Sequence, residues 1–480
     1  MMAANPEDGA CADRRTVKPD VSPAERSLSP AAKSPDPHPV PAGLWESFLS
    51  RENLARALKR VEQNHGAPGP DGMKSEELRS WLHTHWPEVR ARLDAGTYRP
   101  APVRRVFIPK PGGKVRPLGV PTVLDRLIQQ ALLQVLTPVF DPHFSDRSYG
   151  FRPGRSAHQA VRRAQEAIAS GHGWVVDLDL EAFFDRVNHD ALMARCARRI
   201  DDKKGLKLLR AYLEAGVMQD GVKVTQEEGT PQGSPLSPLL ANIMLDDLDK
   251  ELAARGHQFV RYADDIMIYV QTERAAERVI KSTRAFVEKR LKLRVNEAKS
   301  AVAPATTRPF LGFAFFLRGG EVKVRLDPKA RAAVKMRLRR LTGRSWRVSM
   351  AVRIDALNRF TRGWTAYFAL ADTPSVFEEL DEWLRRRLRQ VRWKEWKKPG
   401  GRCRGLIACG IPAWQARKWA ASGRGCWRIA GSAILARALP VSYWHELGLA
   451  GFLGPYRQLR DARRTAGCGP ACPVVWEGPG

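Results

Sequence analysis

The sequence predicts an α+β fold in which an antiparallel sheet is backed by helices and followed by a strongly basic helical region. Three observations lead there. First, from Trp45 to about residue 320 short β-like apolar runs, such as Trp174-Val175-Val176 and Ile266-Met267-Ile268-Tyr269-Val270, mix with amphipathic stretches. Second, the mixture does not repeat as βαβ units, and no internal repeat is present. Third, the 480 residues carry a formal net charge of +29, with pI ≈ 10.3. Such a surplus implies a polyanionic partner, because each neutralised phosphate releases counterions.

Each region follows from its composition. Residues 1–43 are rich in Pro, Ser and Ala and poor in large apolar residues, the signature of a disordered leader. Residues 44–320 hold the mixed region. Within it Leu240, Met244, Leu248 and Leu252 recur at i, i+4 and predict a helix. Residues 321–400 contain 21 Lys and Arg against nine Asp and Glu, a net of +12. There Phe377, Leu380, Leu384, Leu388 and Val391 keep helical spacing, while Arg385, Arg386, Arg387 and Arg389 crowd the rest of the helix. After Pro399-Gly400-Gly401, residues 401–460 turn to Trp, Cys, Arg and Gly and suggest a small further domain. Residues 461–480 read as a flexible tail.

Some classes are excluded early. No apolar run approaches the roughly 20 residues that span a bilayer. Met1 to Ala12 lacks the apolar core of a signal peptide. Seven cysteines in so long a chain do not form a disulfide framework, so a reducing cytoplasm is expected.

The chemistry concentrates in acids. Phe259-Val260-Arg261-Tyr262-Ala263-Asp264-Asp265-Ile266-Met267 reads as a hairpin with Asp264 and Asp265 at its turn. Adjacent carboxylates repel, so a fold keeps them for solvent or for a cation. Upstream, Val175-Val176-Asp177-Leu178-Asp179 ends a strand in acids, which is costly unless they are paired or metal-bound. Asp179 precedes Asp264 by 85 residues, and the two strands can lie side by side in one sheet. Three carboxylates so placed suit two Mg²⁺ ions, which take hard oxygen ligands and clamp the attacking and leaving oxygens of a phosphoryl displacement.

A strand ending in Asp, then Phe183-Phe184, then a Tyr-Ala-Asp-Asp hairpin resembles the palm of reverse transcriptases. Gly66-Ala67-Pro68-Gly69-Pro70-Asp71-Gly72 and Ser148-Tyr149-Gly150-Phe151-Arg152-Pro153 narrow the resemblance to enzymes encoded in bacterial group II introns. A viral RNA-copying polymerase is disfavoured, since its hairpin usually reads Gly-Asp-Asp and it must admit a ribose 2′-OH.

The resemblance implies a right-hand polymerase with fingers, palm, helical thumb and a small C-terminal DNA-binding domain. It implies Asp179, Asp264 and Asp265 as catalytic metal ligands, joined by the main chain of Leu180, with Lys299 as proton donor to pyrophosphate or as phosphate contact. It assigns nucleotide binding to Lys110 and Arg116 of the fingers, to Phe184 as the gate against a 2′-OH, and to Pro231 and Gln232 of the Gly229–Pro238 loop. Phe183 is expected in the core. Leu311 and Gly312 match the primer grip. Arg385, Arg386 and Arg389 are candidates for RNA binding by the thumb, or maturase, domain. The implied cofactor is Mg²⁺; the implied partners are intron RNA, a DNA primer, target DNA and deoxynucleoside triphosphates, with no membrane. Many relatives end in a His-Asn-His endonuclease with Cys-x-x-Cys pairs, and no such pair occurs here. The expected function is therefore RNA-directed DNA synthesis joined to a splicing role. The alternatives are a reverse transcriptase of antiphage defence or diversity generation, and a splicing-only maturase.

Overall fold

The structure, a computed structural model, describes residues 43–109, 115–219, 222–224 and 233–465. Among them ten strands form three sheets. The first joins β1 (Val103–Pro109), β2 (Val115–Val120), β4 (Val217–Gln219) and β5 (Val222–Val224) in the order β2-β1-β4-β5. The second joins β3 (Trp174–Leu178), β6 (Gln258–Tyr262), β7 (Asp265–Val270) and β8 (Ala301–Pro304) in the order β6-β7-β3-β8, every neighbour antiparallel. The third is the hairpin of β9 (Phe313–Arg318) and β10 (Glu321–Leu326).

The central sheet sits between two apolar cores, because side chains alternate along each strand. Val176, Leu178, Phe259, Ile266, Ile268 and Val270 enter one core, with the helices Val123–Phe140, Ser237–Ala254 and Glu273–Arg290. Val175, Val260, Met267 and Tyr269 enter the other, which also holds the helix Ala157–Ala169, the β9–β10 hairpin and the helices beyond it. Leu240, Met244, Leu248 and Leu252 are all buried in the helix Ser237–Ala254, as their spacing predicts. Phe377, Leu380, Leu384, Leu388 and Val391 are likewise buried in the helix Pro374–Glu395. The helix starts carry local signals. Thr122 and Thr272 accept from main-chain amides at their caps, and Ser156 with Gln159 forms a reciprocal capping box.

The regional boundaries differ from expectation in two places. The break at 320/321 falls inside the β9–β10 hairpin, and the basic helices begin at Pro328 with Pro328–Leu341 and Met350–Phe368. The change in charge that suggested a border arises because β10 exposes Glu321 and Arg325 while burying Val322, Val324 and Leu326. At the other end, the helix Leu453–Thr465 crosses the expected tail boundary at 460/461. Residues 401–460 do not close a core of their own. Leu406, Ile429, Leu435, Trp444 and Phe452 join the core of the basic helices. The leader, residues 1–42, and the last residues, 466–480, lie outside the described residues.

Candidate active site

The central sheet brings the acids together. Leu178 pairs with Ile266, and continuing that register by one residue sets Asp179 opposite Asp265. Residues directly opposite in an antiparallel pair point to the same face. Tyr262 pairs with Asp265, so the turn between β6 and β7 is Ala263-Asp264, and Asp265 is the first residue of β7 rather than part of the turn. Ala263 holds a left-handed backbone, φ 57°.

The main chain of Asp179 is fixed by the segment before β8. Its N–H donates to Ser300 Oγ at 3.0 Å, and its carbonyl accepts from the Asn296 N–H at 2.8 Å. Leu180 is buried and bridges Val295. Lys299 Nζ lies 3.1 Å from Asp179 Oδ2, with the lysine side chain largely in solvent. Burial first, then Asp264, Asp177 and Asp179, push the Asp265 carboxyl up to about 6, with Lys299 pulling the other way. The residue is nonetheless exposed at the mouth of the cleft, where water tempers the shift. Asp177 points to the same face two residues before Asp179 but is engaged: Arg308 donates to its Oδ2 at 2.6 and 3.0 Å. Burial raises the Asp177 carboxyl, and the Arg308 guanidinium opposes that rise.

Negative charge thus accumulates from three sides with one exposed ammonium against it, which suits a bound cation. Among the described residues no three acidic, His or Cys side chains converge as a finished metal cage.

In front of the acids opens a cleft of about 1020 Å³, lined among others by Arg126, Phe151, Phe184, Ser234, Tyr262, Asp264, Asp265 and Leu311. Phe183 and Phe184 meet edge-on at 5.1 Å and are both buried in the core, and of the two Phe184 also lines the cleft. Leu311 and Gly312 have φ of 51° and 79° between Phe310 and Phe313, whose main chains exchange hydrogen bonds of 2.8 and 2.9 Å. Positive φ at both central residues makes a type I′ turn. Tyr367 from the helix Met350–Phe368 donates to the Leu311 carbonyl at 3.0 Å.

On the fingers side Arg116 belongs to β2, paired with Ile108, and its side chain is outside the described set; Lys110, Pro231 and Gln232 also lie outside the described residues. The loop resumes at Gly233, where a Cβ would meet the Gly119 carbonyl at 2.7 Å, and Ser234 Oγ donates to Gln129. Gly69 is equally constrained, since a Cβ there would lie 2.6 Å from Thr122 Cα. Arg385, Arg386 and Arg389 are half-buried, and among the described residues no carboxylate pairs with them. Arg386 stacks on Trp427 at 4.1 Å. Burial, then Arg385 and Arg386, lower the pKa of Arg389.

Comparison with known proteins adds the lineage. Residues 108–315 match the family described as reverse transcriptase (RNA-dependent DNA polymerase), and residues 331–409 match the group II intron maturase-specific domain. Protein YkfC of Escherichia coli K12 is 34% identical over 322 residues, covering 59% of this chain and 84% of that protein. The chain belongs to the reverse transcriptase and maturase family of group II introns. The group II intron-encoded protein LtrA of Lactococcus lactis subsp. cremoris is 39% identical over 181 residues, 38% of this chain and 29% of LtrA. The uncharacterized 91 kDa protein in the cob intron of Schizosaccharomyces pombe is 34% identical over 212 residues, 44% of this chain and 26% of that protein. The chain thus matches less than a third of the length of these last two relatives.

The reverse transcriptase is an RNA-directed DNA polymerase, an activity that depends on divalent metal, and its partners are nucleic acids. No described helix is long and apolar enough to cross a membrane. Sequence reasoning did not single out Arg308 or Ser300, because each acts on a partner distant in the chain, nor the buried Arg261, whose partners Asp249 and Asn242 lie on a separate helix 12 and 19 residues away. Arg308 stands 131 residues from Asp177 and Ser300 121 from Asp179.

Proposed function

We propose that this protein extends a DNA primer on intron RNA with Mg²⁺ in the cytoplasm, and that it binds the same RNA to promote splicing. The observation that carries the reading is the β3–β7 register, whose continuation sets Asp179 opposite Asp265, with Asp264 in the adjoining turn and both Asp264 and Asp265 lining an open cleft. Asp179, Asp264, Asp265 and the Leu180 carbonyl would hold the metal. Bound there, two Mg²⁺ ions would activate the primer 3′-OH and neutralise the leaving pyrophosphate. With metal held at Asp179, the exposed Lys299 ammonium would be free to meet the phosphates, as proton donor or as a charge. Phe184 presents its ring where a 2′-OH would enter and so favours deoxynucleotides. Lys110 and Arg116 grip the triphosphate, Pro231 and Gln232 pack the nucleotide, and the rigid Leu311-Gly312 turn presents main chain to the primer end.

Splicing needs RNA binding rather than palm chemistry. Support for a binding surface is that, among the described residues, Arg385, Arg386 and Arg389 form no salt bridge, and that Arg386 packs on a tryptophan that is 38% exposed. Aromatic faces with neighbouring guanidinium groups suit stacked bases and phosphates. The test separates the two activities. Asp264→Ala and Asp179→Ala should lose primer extension on RNA, while Asp264→Ala retains intron binding and stimulates splicing at low Mg²⁺. Replacing Arg385, Arg386 and Arg389 with Gln should weaken intron binding and flatten its salt dependence by roughly one unit of slope per lost phosphate contact. Extension above about one per cent of wild type in both Asp variants would refute the metal assignment, because loss of a ligand removes the clamp. Equal salt slopes would refute the RNA surface.

A further inference from the structure

The arginine preceding the Tyr-Ala-Asp-Asp turn is the most enclosed ionic group beside the site. Arg261 and Asp249 are 0% and 1% exposed. Arg261 Nε donates to both Asp249 oxygens at 2.8 and 3.0 Å, and Nη2 donates to Oδ2 at 2.5 Å. That leaves Nη1 aimed elsewhere. It donates to Asn242 Oδ1 at 2.8 Å and to the Ala263 carbonyl at 3.0 Å. Asn242 in turn donates from Nδ2 to the Gly150 carbonyl at 2.9 Å, and Gly150 lies so close to the turn that a Cβ would meet Ala263 N at 2.3 Å. Helix Ser237–Ala254, the Ser148–Phe151 segment and the β6–β7 turn are therefore joined through one guanidinium.

We infer that Arg261, oriented by Asp249 and Asn242, is the positioning residue that holds the Ala263 peptide in its left-handed form and so sets where Asp264 and Asp265 present their oxygens. The inference rests on the polymerase reading above. Its physical ground is threefold. A left-handed alanine persists only where surroundings over-determine it, and the Nη1 bond is one such constraint. A buried ion pair is weak support for stability and is better explained by the geometry it specifies. The planar fork satisfies a carboxylate and two carbonyl-type oxygens in one plane, which a lysine ammonium cannot do. Arg261 touches no substrate in this arrangement; it acts through the turn.

The test uses the full-length chain with Arg261→Lys, which keeps the charge and removes the fork. Mn²⁺ binding, followed by the EPR signal of free ion, should weaken by about tenfold, and the Mg²⁺ concentration that half-saturates primer extension should rise by a similar factor. The rate at saturating nucleotide should fall by about 10- to 100-fold, as expected for carboxylates displaced by a fraction of an ångström to 1 Å. Leu248→Ala, in the core of the same helix, supplies a destabilised control and should leave the Mn²⁺ isotherm unchanged. If Arg261→Lys does not fold, Asn242→Ala removes only the orienting acceptor and should move the isotherm in the same direction by about threefold. A folded variant with a wild-type isotherm and wild-type Mg²⁺ requirement overturns the inference, as does an equal shift in Leu248→Ala. A wild-type protein that neither binds Mn²⁺ nor extends a primer refutes the polymerase reading itself.

Discussion

Gly150→Ala is a perturbation whose size can be worked from the geometry. The added Cβ would lie 2.3 Å from Ala263 N and 2.9 Å from the Tyr262 carbonyl carbon, both main-chain atoms of the catalytic hairpin. Ordinary contact begins near 3.4 Å, so one backbone must retreat by about 1 Å, and a misplacement of that size typically lowers the rate by about 100-fold. That factor corresponds to about 2.7 kcal/mol of transition-state stabilisation. The Gly150 segment is tied down by Arg152, which donates to Asp141 Oδ1 at 2.7 Å and to the Ser145 and Ser148 carbonyls. Whichever side gives way, the Ala263 peptide and the acids after it are displaced relative to the Gly150 segment. Single-turnover extension of a DNA primer on an RNA template, at saturating nucleotide and Mg²⁺, should show the loss in the chemical step with primer–template affinity preserved. Gly173→Ala is the control, because nothing lies within 4 Å of a Cβ there. A Gly150→Ala enzyme within about threefold of wild type would refute the claim that this contact sets the position of the acids, since threefold is well under one decade of rate.

Two further outcomes follow from side chains in the cleft. Phe184→Ala should raise ribonucleotide use relative to deoxynucleotide use by about tenfold, or roughly 1.4 kcal/mol of discrimination; an unchanged ratio of kcat/KM values would make Phe184 a core residue only. Asp265, pushed up to about 6 against its ordinary 3.8, binds its proton to higher pH than a free carboxylate, so proton and cation compete there. Activity at limiting Mg²⁺ should fall as pH drops through about 6 and recover on adding Mg²⁺ at the same pH, whereas a Mg²⁺ requirement independent of pH between 5 and 7 would contradict it. By the same sign, the metal-free fold is favoured with Asp265 protonated, and that contribution is lost as pH rises through the folded value.

Much of the fold was legible because its signals are local. The apolar runs of β3 and β7, the i, i+4 series of Ser237–Ala254 and the five apolar positions of Pro374–Glu395 each declare an element within a few residues. The Asp264-Asp265 pair and Asp179 stood out for the same reason, being charges at the ends of apolar strands. What stayed hidden depends on pairing across the chain. Arg261 reads as one cation among 80 Lys and Arg until Asp249 and Asn242 are seen beside it. Gly150 reads as one glycine in a turn-rich string until Ala263 lies against it. The Gly319-Gly320 pair was passed over as a hairpin turn because net charge, not alternation, drew the border at 320.

The sheet that carries the acids has one core on one side and, on the other, a core shared by the helix Ala157–Ala169, the β9–β10 hairpin and the basic helices. Val175, Val260, Met267 and Tyr269 are roofed by residues that arrive after the last palm strand, including Phe313, Phe315, Leu357 and Phe368. A chain cut after residue 320 would keep Phe313, Phe315 and the helix Ala157–Ala169 against that face but lose Leu357, Phe368 and the rest of the basic helices, exposing part of an apolar core. The roof and the floor also share the Leu311–Tyr367 bond. Deleting the basic helices is therefore expected to disturb the palm as well as the RNA-binding surface proposed for them. Exchanging side chains on an intact frame leaves that shared core in place and can part the two proposed roles.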